Sequence, residues 1–173
     1  MMNDIIIMKN NEYIIIMKNN EYNNIIYPME FRYLQEEDYN KNYLDLLEQL
    51  TEVNKDQITY QRFSNFIKNL DKNHKIVVME QNNKIVATGT ILIEDKLIHG
   101  INKVAHIEDI VICNTMRGLG LGKQIIQFLI NIAEEDCYKV ILNCNEEYIG
   151  FYEKCGLVNH AIEMVKYITR LEI

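Results

Sequence analysis

The stretch Arg117-Gly118-Leu119-Gly120-Leu121-Gly122-Lys123 places three glycines within five positions, although the chain of 173 residues contains only seven. It joins a predicted strand at residues 104–113 to a segment whose apolar residues recur at helical spacing. Because glycine has no Cβ atom, such a turn allows several backbone N–H groups to converge on an anion at the start of a helix. Arg117 and Lys123 add positive charge. The stretch therefore predicts a cradle for a pyrophosphate group.

The spacing differs from that of two common phosphate-binding loops. A Walker A loop has four residues between its outer glycines, followed by Lys and Ser or Thr, whereas three residues separate Gly118 from Gly122, and Gln124 follows Lys123. A Rossmann loop has the pattern G-x-G-x-x-G after a first strand, and this stretch reads G-x-G-x-G past the middle of the chain. A glycine turn without a ligand is the less favoured alternative, because glycines near a helix cost about 1 kcal/mol each.

Composition and charge restrict the class of protein. With 173 residues, of which 48% are apolar, the chain is long enough for one domain with a buried core. Its formal charge of −7 argues against nucleic acid or an anionic membrane as the main partner. No apolar run approaches the ~20 residues of a membrane span, and the N-terminus shows no signal-peptide pattern.

The four cysteines have no spacing that is typical of a metal site. Cys113, Cys137, Cys144 and Cys155 form no C-x-x-C pair and have no histidine at ligand spacing. We therefore expect buried free thiols in a reducing compartment, no bound metal and a cytoplasmic location. A disulfide framework is the less favoured alternative.

The N-terminus contains a tandem duplication, because IIIMKNNEY occurs at residues 5–13 and again at 14–22. Two copies are too few for a solenoid. We expect residues 1–27 to form an extension that is flexible or loosely added as a strand, with a regulatory or targeting arm as the alternative. The domain itself is predicted over residues 28–173, beginning at Pro28, the only proline.

Hydrophobic periodicity predicts a mixed α/β order in this domain without an internal linker. Strands are predicted at residues 29–34, 75–80, 84–93, 96–101, 104–113, 138–144 and 157–171, with a tight Asn82-Asn83 turn between the second and third. Helices are predicted at residues 36–53, 56–70, 118–135 and 146–155.

Two further motifs accompany the glycine stretch. Residues 107–110 are Ile-Glu-Asp-Ile, and Asn145 stands seven positions before Tyr152 in a segment ending Phe-Tyr-Glu-Lys-Cys-Gly-Leu. Together these motifs resemble the GNAT superfamily of N-acetyltransferases. Residues 96–99, 105–110, 137–142 and 151–156 are similar to the glucosamine 6-phosphate N-acetyltransferases within it, and the similarity runs from about residue 28 to about 165. The resemblance implies the GNAT (acyl-CoA N-acyltransferase) fold, in which helices flank a mixed central β-sheet.

The resemblance implies acetyl-CoA as a co-substrate, with direct transfer in a ternary complex. The strand that precedes the glycine stretch would hold the pantetheine arm, and the stretch itself would bind the pyrophosphate. The residues implied for the cofactor are Ile110, Val111, Ile112, Arg117, Gly118, Leu119, Gly120, Leu121, Gly122, Lys123, Asn143, Asn145 and Tyr152. Asn143 stands where relatives often carry Asp, so no carboxylate base is available there.

Tyr152, Glu108 and Asp109 are the implied catalytic residues. The Tyr152 phenol would donate a proton to the departing sulfur, and a packed core tyrosine is the alternative. A carboxylate next to the amine would bind the ammonium and accept its proton, directly or through water. Because adjacent strand residues point to opposite faces, we do not expect Glu108 and Asp109 to act as a dyad. The identity of the general base stays open.

The resemblance also implies a phosphorylated amino sugar as the acceptor. The residues implied for its binding are Thr51, Lys96, Leu97, Ile98, His99, Glu108, Asp109, Ile110, Tyr138 and Lys139. A last phosphate ligand near the C-terminus stays open between Lys166, Tyr167 and Arg170. Relatives are homodimers that pack through their C-terminal strands, so we expect a homodimer. The alternatives are transfer to another amine (a protein N-terminus, a lysine or a polyamine) and a non-catalytic acyl-CoA-binding module.

Overall fold

The computed structural model describes residues 5–9, 12–16 and 30–168. Its strands are β1 (Ile5–Lys9), β2 (Glu12–Ile16), β3 (Phe31–Tyr33), β4 (His74–Gln81), β5 (Lys84–Lys96), β6 (Asn102–Ile112) and β7 (Cys137–Ile141). Its α-helices are α1 (Tyr43–Leu47), α2 (Tyr60–Lys68), α3 (Ile98–Ile101), α4 (Leu121–Glu134) and α5 (Ile149–Glu153). Short 3₁₀ helices cover Glu36–Asn40, Lys55–Gln57, Asn114–Met116 and Glu146–Tyr148.

Five strands form the central sheet in the order β3-β4-β5-β6-β7. All neighbours are antiparallel except β6 and β7, which are parallel because α4 returns the chain between them. On one face, Ile125 and Leu129 of α4 are fully buried against the sheet. On the other face, α1 and α2 cover β4 and part of β5 and β6. The predicted mixed sheet flanked by helices is confirmed.

The β4–β5 connection is the tight turn that the sequence predicts. Gln81 pairs with Lys84, which leaves Asn82 and Asn83 as the two turn residues. Their φ values are +51° and +60°, a conformation that Asn tolerates better than most residues and that fits the twist of a hairpin. The prediction of a hairpin on Asn82-Asn83 is confirmed.

Three predicted elements differ most from the structure. The helix predicted at residues 36–53 is divided into a 3₁₀ helix and the short α1, because Asn42 adopts a φ of +60° between them. The strand predicted at residues 96–101 is wrong, since His99 and Gly100 have positive φ values within α3. The closing strand is wrong for residues 157–168, which are irregular and, after Leu157, exposed.

Among the described residues, none of the helices is long and apolar enough to cross a membrane.

The duplicated segment contributes the separate two-stranded sheet. The backbone of β1 pairs with that of β2 from Ile5–Ile16 to Lys9–Glu12, so the isoleucines of the first copy lie opposite those of the second. The predicted boundary at Pro28 lies outside the described residues, and the division into an extension and a domain stays a prediction.

A buried carboxylate ties the edge strand β3 to the following 3₁₀ helix. Asp38 is fully buried and accepts two 2.7 Å hydrogen bonds from the guanidinium of Arg32. Lys41 and Arg32 also bind Glu80 of β4, at 2.8 and 2.6 Å. Burial by itself would raise the pKa of Asp38, but the bonds from Arg32 and the Gln35 amide outweigh burial and lower this pKa. The cluster therefore stabilises the fold only while Asp38 is ionised.

We expect Asp38→Asn to lower the free energy of unfolding by about 3 kcal/mol at pH 7, because it leaves the guanidinium of Arg32 without its buried counter-ion. Urea denaturation followed by circular dichroism measures this loss. Since the folded-state pKa lies below the unfolded value, the loss should shrink as the pH falls through the folded-state pKa. Lys55→Met, which breaks an exposed pair with Asp45, is the control and should change little. An equal effect of both variants would contradict the prediction.

Candidate active site

The glycine stretch forms the turn between β6 and α4 that the sequence predicts. Gly118 and Gly120 have φ values of +81° and +80°, in the region that favours glycine. Gly120 is the N-cap of α4, and its carbonyl accepts the amide of Gln124 at 3.2 Å. The amides of residues 118–123 have no backbone acceptor within the described part of the chain. They are free to bind an anion in the positive field of the helix N-terminus.

Gly122 serves a different purpose, because it lies at a close contact between α4 and α5. A Cβ atom at this position would lie 3.1 Å from Cζ of Phe151 in α5. The first turn of α4 therefore packs directly against the helix that carries Tyr152. Near this turn, Oε1 of Gln124 is a buried acceptor without a partner among the described residues. The free amides fit a bound pyrophosphate, and the unsatisfied Gln124 acceptor fits an N–H group of the chain attached to it.

Strand β6 has one edge that is only partly paired. It pairs with β5 over its whole length, whereas β7 pairs only with residues 103–106 of β6. Beyond His106, the two parallel strands separate, and the edge of β6 that faces β7 has no strand partner in the described ranges. Ile110, Val111 and Ile112 lie on this open section. An extended, amide-containing ligand can pair with such an edge as an added strand.

A β-bulge interrupts β6 at the acidic pair. Thr90 pairs with Glu108 and Thr88 pairs with Val111, so one residue of β5 faces two residues of β6. Asp109, the first of these two, has a φ of +52°. The bulge places one extra residue, Asp109, between Glu108 and Ile110 and so interrupts the regular alternation of β6. That Glu108 and Asp109 do not act as a dyad stays a prediction.

The carboxylate of Glu108 is close enough to Tyr152 to raise the pKa of its phenol. Burial raises the pKa of Glu108, the charge of Asp109 raises it further, and His106 opposes both. Burial also raises the pKa of the Tyr152 phenol, with smaller contributions from neighbouring groups that include Cys144 and Glu108. The Tyr152 hydroxyl has no hydrogen-bond partner among the described residues.

These environments suit the two proton transfers of an acyl transfer to an amine. A carboxylate with a raised pKa is a better proton acceptor, and a phenol with a raised pKa stays protonated at neutral pH. The pair can therefore take a proton from an amine and supply one to a leaving group.

Thr51 and the two asparagines lie around the same end of β6. Oε1 of Gln49 accepts the amide of Asn114 at 2.7 Å, which ties the segment after α1 to the start of the glycine turn. Thr51 is exposed at the end of this segment. Asn143 and Asn145 are exposed in the loop after β7, on the other side of the opening.

The cationic residues predicted for substrate binding are divided between two places in the chain. The His99 ring is 4.7 Å from that of Tyr138, and Nζ of Lys139 is 5.6 Å from the centre of the same ring. Lys139 pairs with Val104, four residues before Glu108, which corresponds to about 13 Å along a strand. Lys96 forms an ion pair with Glu94, and Leu97 and Ile98 are exposed. Within one chain, His99, Tyr138 and Lys139 therefore form a group at a distance from Glu108, whereas Lys96 is linked through Glu94 to His106, whose charge acts on Glu108.

The candidate C-terminal phosphate ligands remain undecided. Lys166 and Tyr167 are exposed in the irregular terminal segment, and Arg170 lies outside the described residues. Glu163 of the same segment helps to raise the pKa of Glu108, so this segment passes near the candidate base.

Sequence reasoning missed the polar residues beside Glu108. Nε2 of His106 lies 3.1 Å from Oε2 of Glu94 on the neighbouring strand. His106 stands two positions before Glu108, and a histidine inside an apolar strand was a signal that could have identified it. The cross-strand partner Glu94 could not be found in this way, because only the register places the two together.

Comparison with known proteins agrees with the geometry. The model of the acetyltransferase (GNAT) family matches residues 30–157. Glucosamine 6-phosphate N-acetyltransferase of Candida albicans is 40% identical over 139 residues, which cover 78% of this chain and 93% of that protein. The enzyme of the same name from Dictyostelium discoideum is 40% identical over 144 residues, or 81% of this chain and 91% of that protein.

A solved structure is also similar. The crystal structure of glucosamine-6-phosphate N-acetyltransferase from Arabidopsis thaliana superposes with a TM-score of 0.78 at 37% identity. The match covers 83% of this chain and 100% of that one.

We expect Gly120→Ala to weaken coenzyme A binding at least about tenfold, because a Cβ at a φ of +80° costs about 1–2 kcal/mol and turns the free amides of the N-cap. Isothermal titration calorimetry measures the affinity. Gly150→Ala is the matched control, since Gly150 has no positive φ and a Cβ there meets nothing within 4 Å. Unchanged affinity in Gly120→Ala would place the pyrophosphate elsewhere.

Proposed function

The chain belongs to the acetyltransferase (GNAT) family, and we propose that it transfers acetyl from acetyl-CoA to the 2-amino group of D-glucosamine 6-phosphate. The products are N-acetylglucosamine 6-phosphate and CoA, so the enzyme supplies a step of UDP-N-acetylglucosamine synthesis. One observation carries the proposal. The family match at residues 30–157 contains the glycine turn, Glu108 and Tyr152, and the relatives that share 40% identity are named for this reaction.

The open edge of β6 and the glycine turn define where acetyl-CoA would bind. The amides between Gly118 and Lys123 would hold the pyrophosphate, with Arg117 and Lys123 supplying charge. The backbone of residues 110–112 would pair with the pantetheine arm. This arrangement brings the thioester to the bulge at Asp109, between Glu108 on β6 and Tyr152 on α5.

The proposed reaction needs removal of two protons from the substrate nitrogen, donation of one proton to the sulfur, and stabilisation of one oxyanion. Glu108 accepts a proton from the substrate ammonium, directly or through water, and the free amine attacks the thioester carbon. Backbone amides at the bulge face the developing oxyanion. The carbon–sulfur bond then breaks, and the Tyr152 phenol donates its proton to the departing sulfur. The nitrogen, which carries one proton too many after the attack, returns a proton to the Tyr152 phenolate and becomes the neutral amide. Four free cysteines are consistent with a reducing compartment, where we place the reaction.

We further propose that the enzyme is a homodimer in which each site takes residues from both chains. His99, Tyr138 and Lys139 lie together near the start of β7, with Lys139 paired to Val104, about 13 Å along β6 from Glu108. The terminal segment exposes apolar side chains, with Ile162 at 90% and Met164 at 91% exposure. A second copy would cover these side chains and bring its cationic group to the sugar phosphate. A monomer in sedimentation velocity at micromolar concentration would contradict this.

A thiol-release assay with acetyl-CoA tests the function on four acceptors: glucosamine 6-phosphate, glucosamine, spermine and a lysine peptide. We expect turnover with the first at least about 100-fold above the others in kcat/KM, because the phosphate contributes charged hydrogen bonds of about 1.5–3 kcal/mol each. A preference for spermine or the peptide would assign the enzyme to another amine. Acetyl-CoA binding without turnover on any acceptor would indicate a non-catalytic module.

We expect Tyr152→Phe to lower kcat by roughly 10- to 1000-fold with little change in the affinity for acetyl-CoA, because it removes a proton donor used in the transition state. Steady-state kinetics and calorimetry separate the two effects. Tyr148→Phe, which removes the hydroxyl of a nearby exposed tyrosine, is the control. Wild-type turnover in Tyr152→Phe would leave Tyr152 with a packing role alone.

A further inference from the structure

Strand β5 contains a glycine at the point where β6 bulges. Gly89 stands in the middle of a 13-residue strand, between the buried Thr88 and Thr90. A glycine inside a strand weakens it, because it has no side chain to pack and loses more backbone entropy on folding. Its φ is not in the positive region, so backbone conformation does not require glycine here. The reason must therefore be a close approach by another group.

The group that approaches Gly89 is the side chain of Ile110. A Cβ atom on Gly89 would lie 2.5 Å from Cδ1 of Ile110, 3.0 Å from Cδ1 of Leu129 and 3.3 Å from Cδ1 of Ile125. Leu129 and Ile125 are fully buried residues of α4, and the half-buried Ile110 packs against their cluster, so a Cβ on residue 89 would require the Ile110 side chain to shift. The space beside Gly89 is filled by one specific methyl group of the bulged strand.

This contact fixes the position of the bulge. Ile110 directly follows Asp109, whose φ of +52° is unfavourable for a residue with a side chain and persists only where the surroundings enforce it. The contact of Ile110 with Gly89 and α4 holds the residue after Asp109 on the α4 face. If Ile110 were displaced, the backbone amides of residues 110–112 would change direction relative to the open edge of β6.

We propose that Gly89 is a positioning residue for acetyl transfer. The space left by its missing Cβ seats Ile110, holds the bulge at Asp109, and thereby aims the amides of β6 at the acetyl group. The inference rests on the proposed function, since it assigns the amides the role of binding the pantetheine arm and the oxyanion. Gly89 itself touches neither substrate.

The test is a double-mutant cycle of Gly89→Ala and Ile110→Val, because valine lacks the Cδ1 atom that alanine at residue 89 would meet. Gly89→Ala should lower kcat and weaken acetyl-CoA binding, each by about tenfold or more, as a misplacement of about 1 Å does in an acyl transfer. The double variant should recover both quantities to within about threefold of Ile110→Val alone. Steady-state kinetics, calorimetry and melting temperature are measured on all four proteins.

The cycle distinguishes positioning from packing. If Gly89 only served core packing, Gly89→Ala would lower the melting temperature while the folded protein kept the kcat and affinity of the wild type, and this result would overturn the proposal. Recovery of melting temperature without recovery of kcat in the double variant would also overturn it. Gly150→Ala controls for adding a methyl group where there is open space.

A second variant covers the case in which Gly89→Ala does not fold. Ile110→Ala empties the same space from the side of β6 and should also lower kcat and acetyl-CoA affinity; wild-type values would overturn the proposal. If the wild type acetylates none of the amines, the proposed function fails, but the acetyl-CoA affinities still decide the role of Gly89. A wild type that binds no acetyl-CoA would overturn both.

Discussion

The site depends on the fact that β6 and β7 begin as parallel neighbours and then separate. Parallel strands need a crossover connection, which is α4 in this fold. The buried side chains of Ile125 and Leu129 hold α4 against the sheet. Because β7 pairs only with residues 103–106 of β6, the second half of β6 keeps one free edge. That edge ends at the N-terminus of the same helix. One connection therefore provides both a backbone edge that could pair with an extended ligand and, at its end, the candidate anion site.

The glycines around this connection meet different physical demands. Gly118 and Gly120 adopt positive φ and turn their amides outward, whereas Gly122 allows α4 to contact Phe151. Through this contact, the turn that forms the candidate anion site packs against the helix that carries Tyr152. The two candidate proton-transfer groups also share one electrostatic feature, because burial raises the pKa of both Glu108 and Tyr152. These shifts suit Glu108 to accept a proton and Tyr152 to donate one.

Local sequence patterns predicted what depends on local chemistry. The glycine turn, the Asn82-Asn83 hairpin and the amphipathic α4 follow from residue types that few other conformations favour. The bulge at Asp109 could not be predicted, because it depends on the register between β5 and β6. In the sequence, it is indicated only by a glycine, Gly89, inside the neighbouring strand. The strand predicted at residues 96–101 failed since Gly100 and its neighbours turn the chain. Apolar alternation at residues 157–168 could not show whether a strand partner exists within the same chain.

The free edge of β6 also links the stability of the protein to the concentration of any ligand that pairs with it. Backbone groups left without a partner in the folded state gain one when an extended ligand pairs with them, so binding acts on the folded chain and not on the unfolded one. A ligand at one hundred times its dissociation constant adds about 2.7 kcal/mol to the free energy of unfolding. If acetyl-CoA is that ligand, a higher concentration of it would hold a larger fraction of this protein folded.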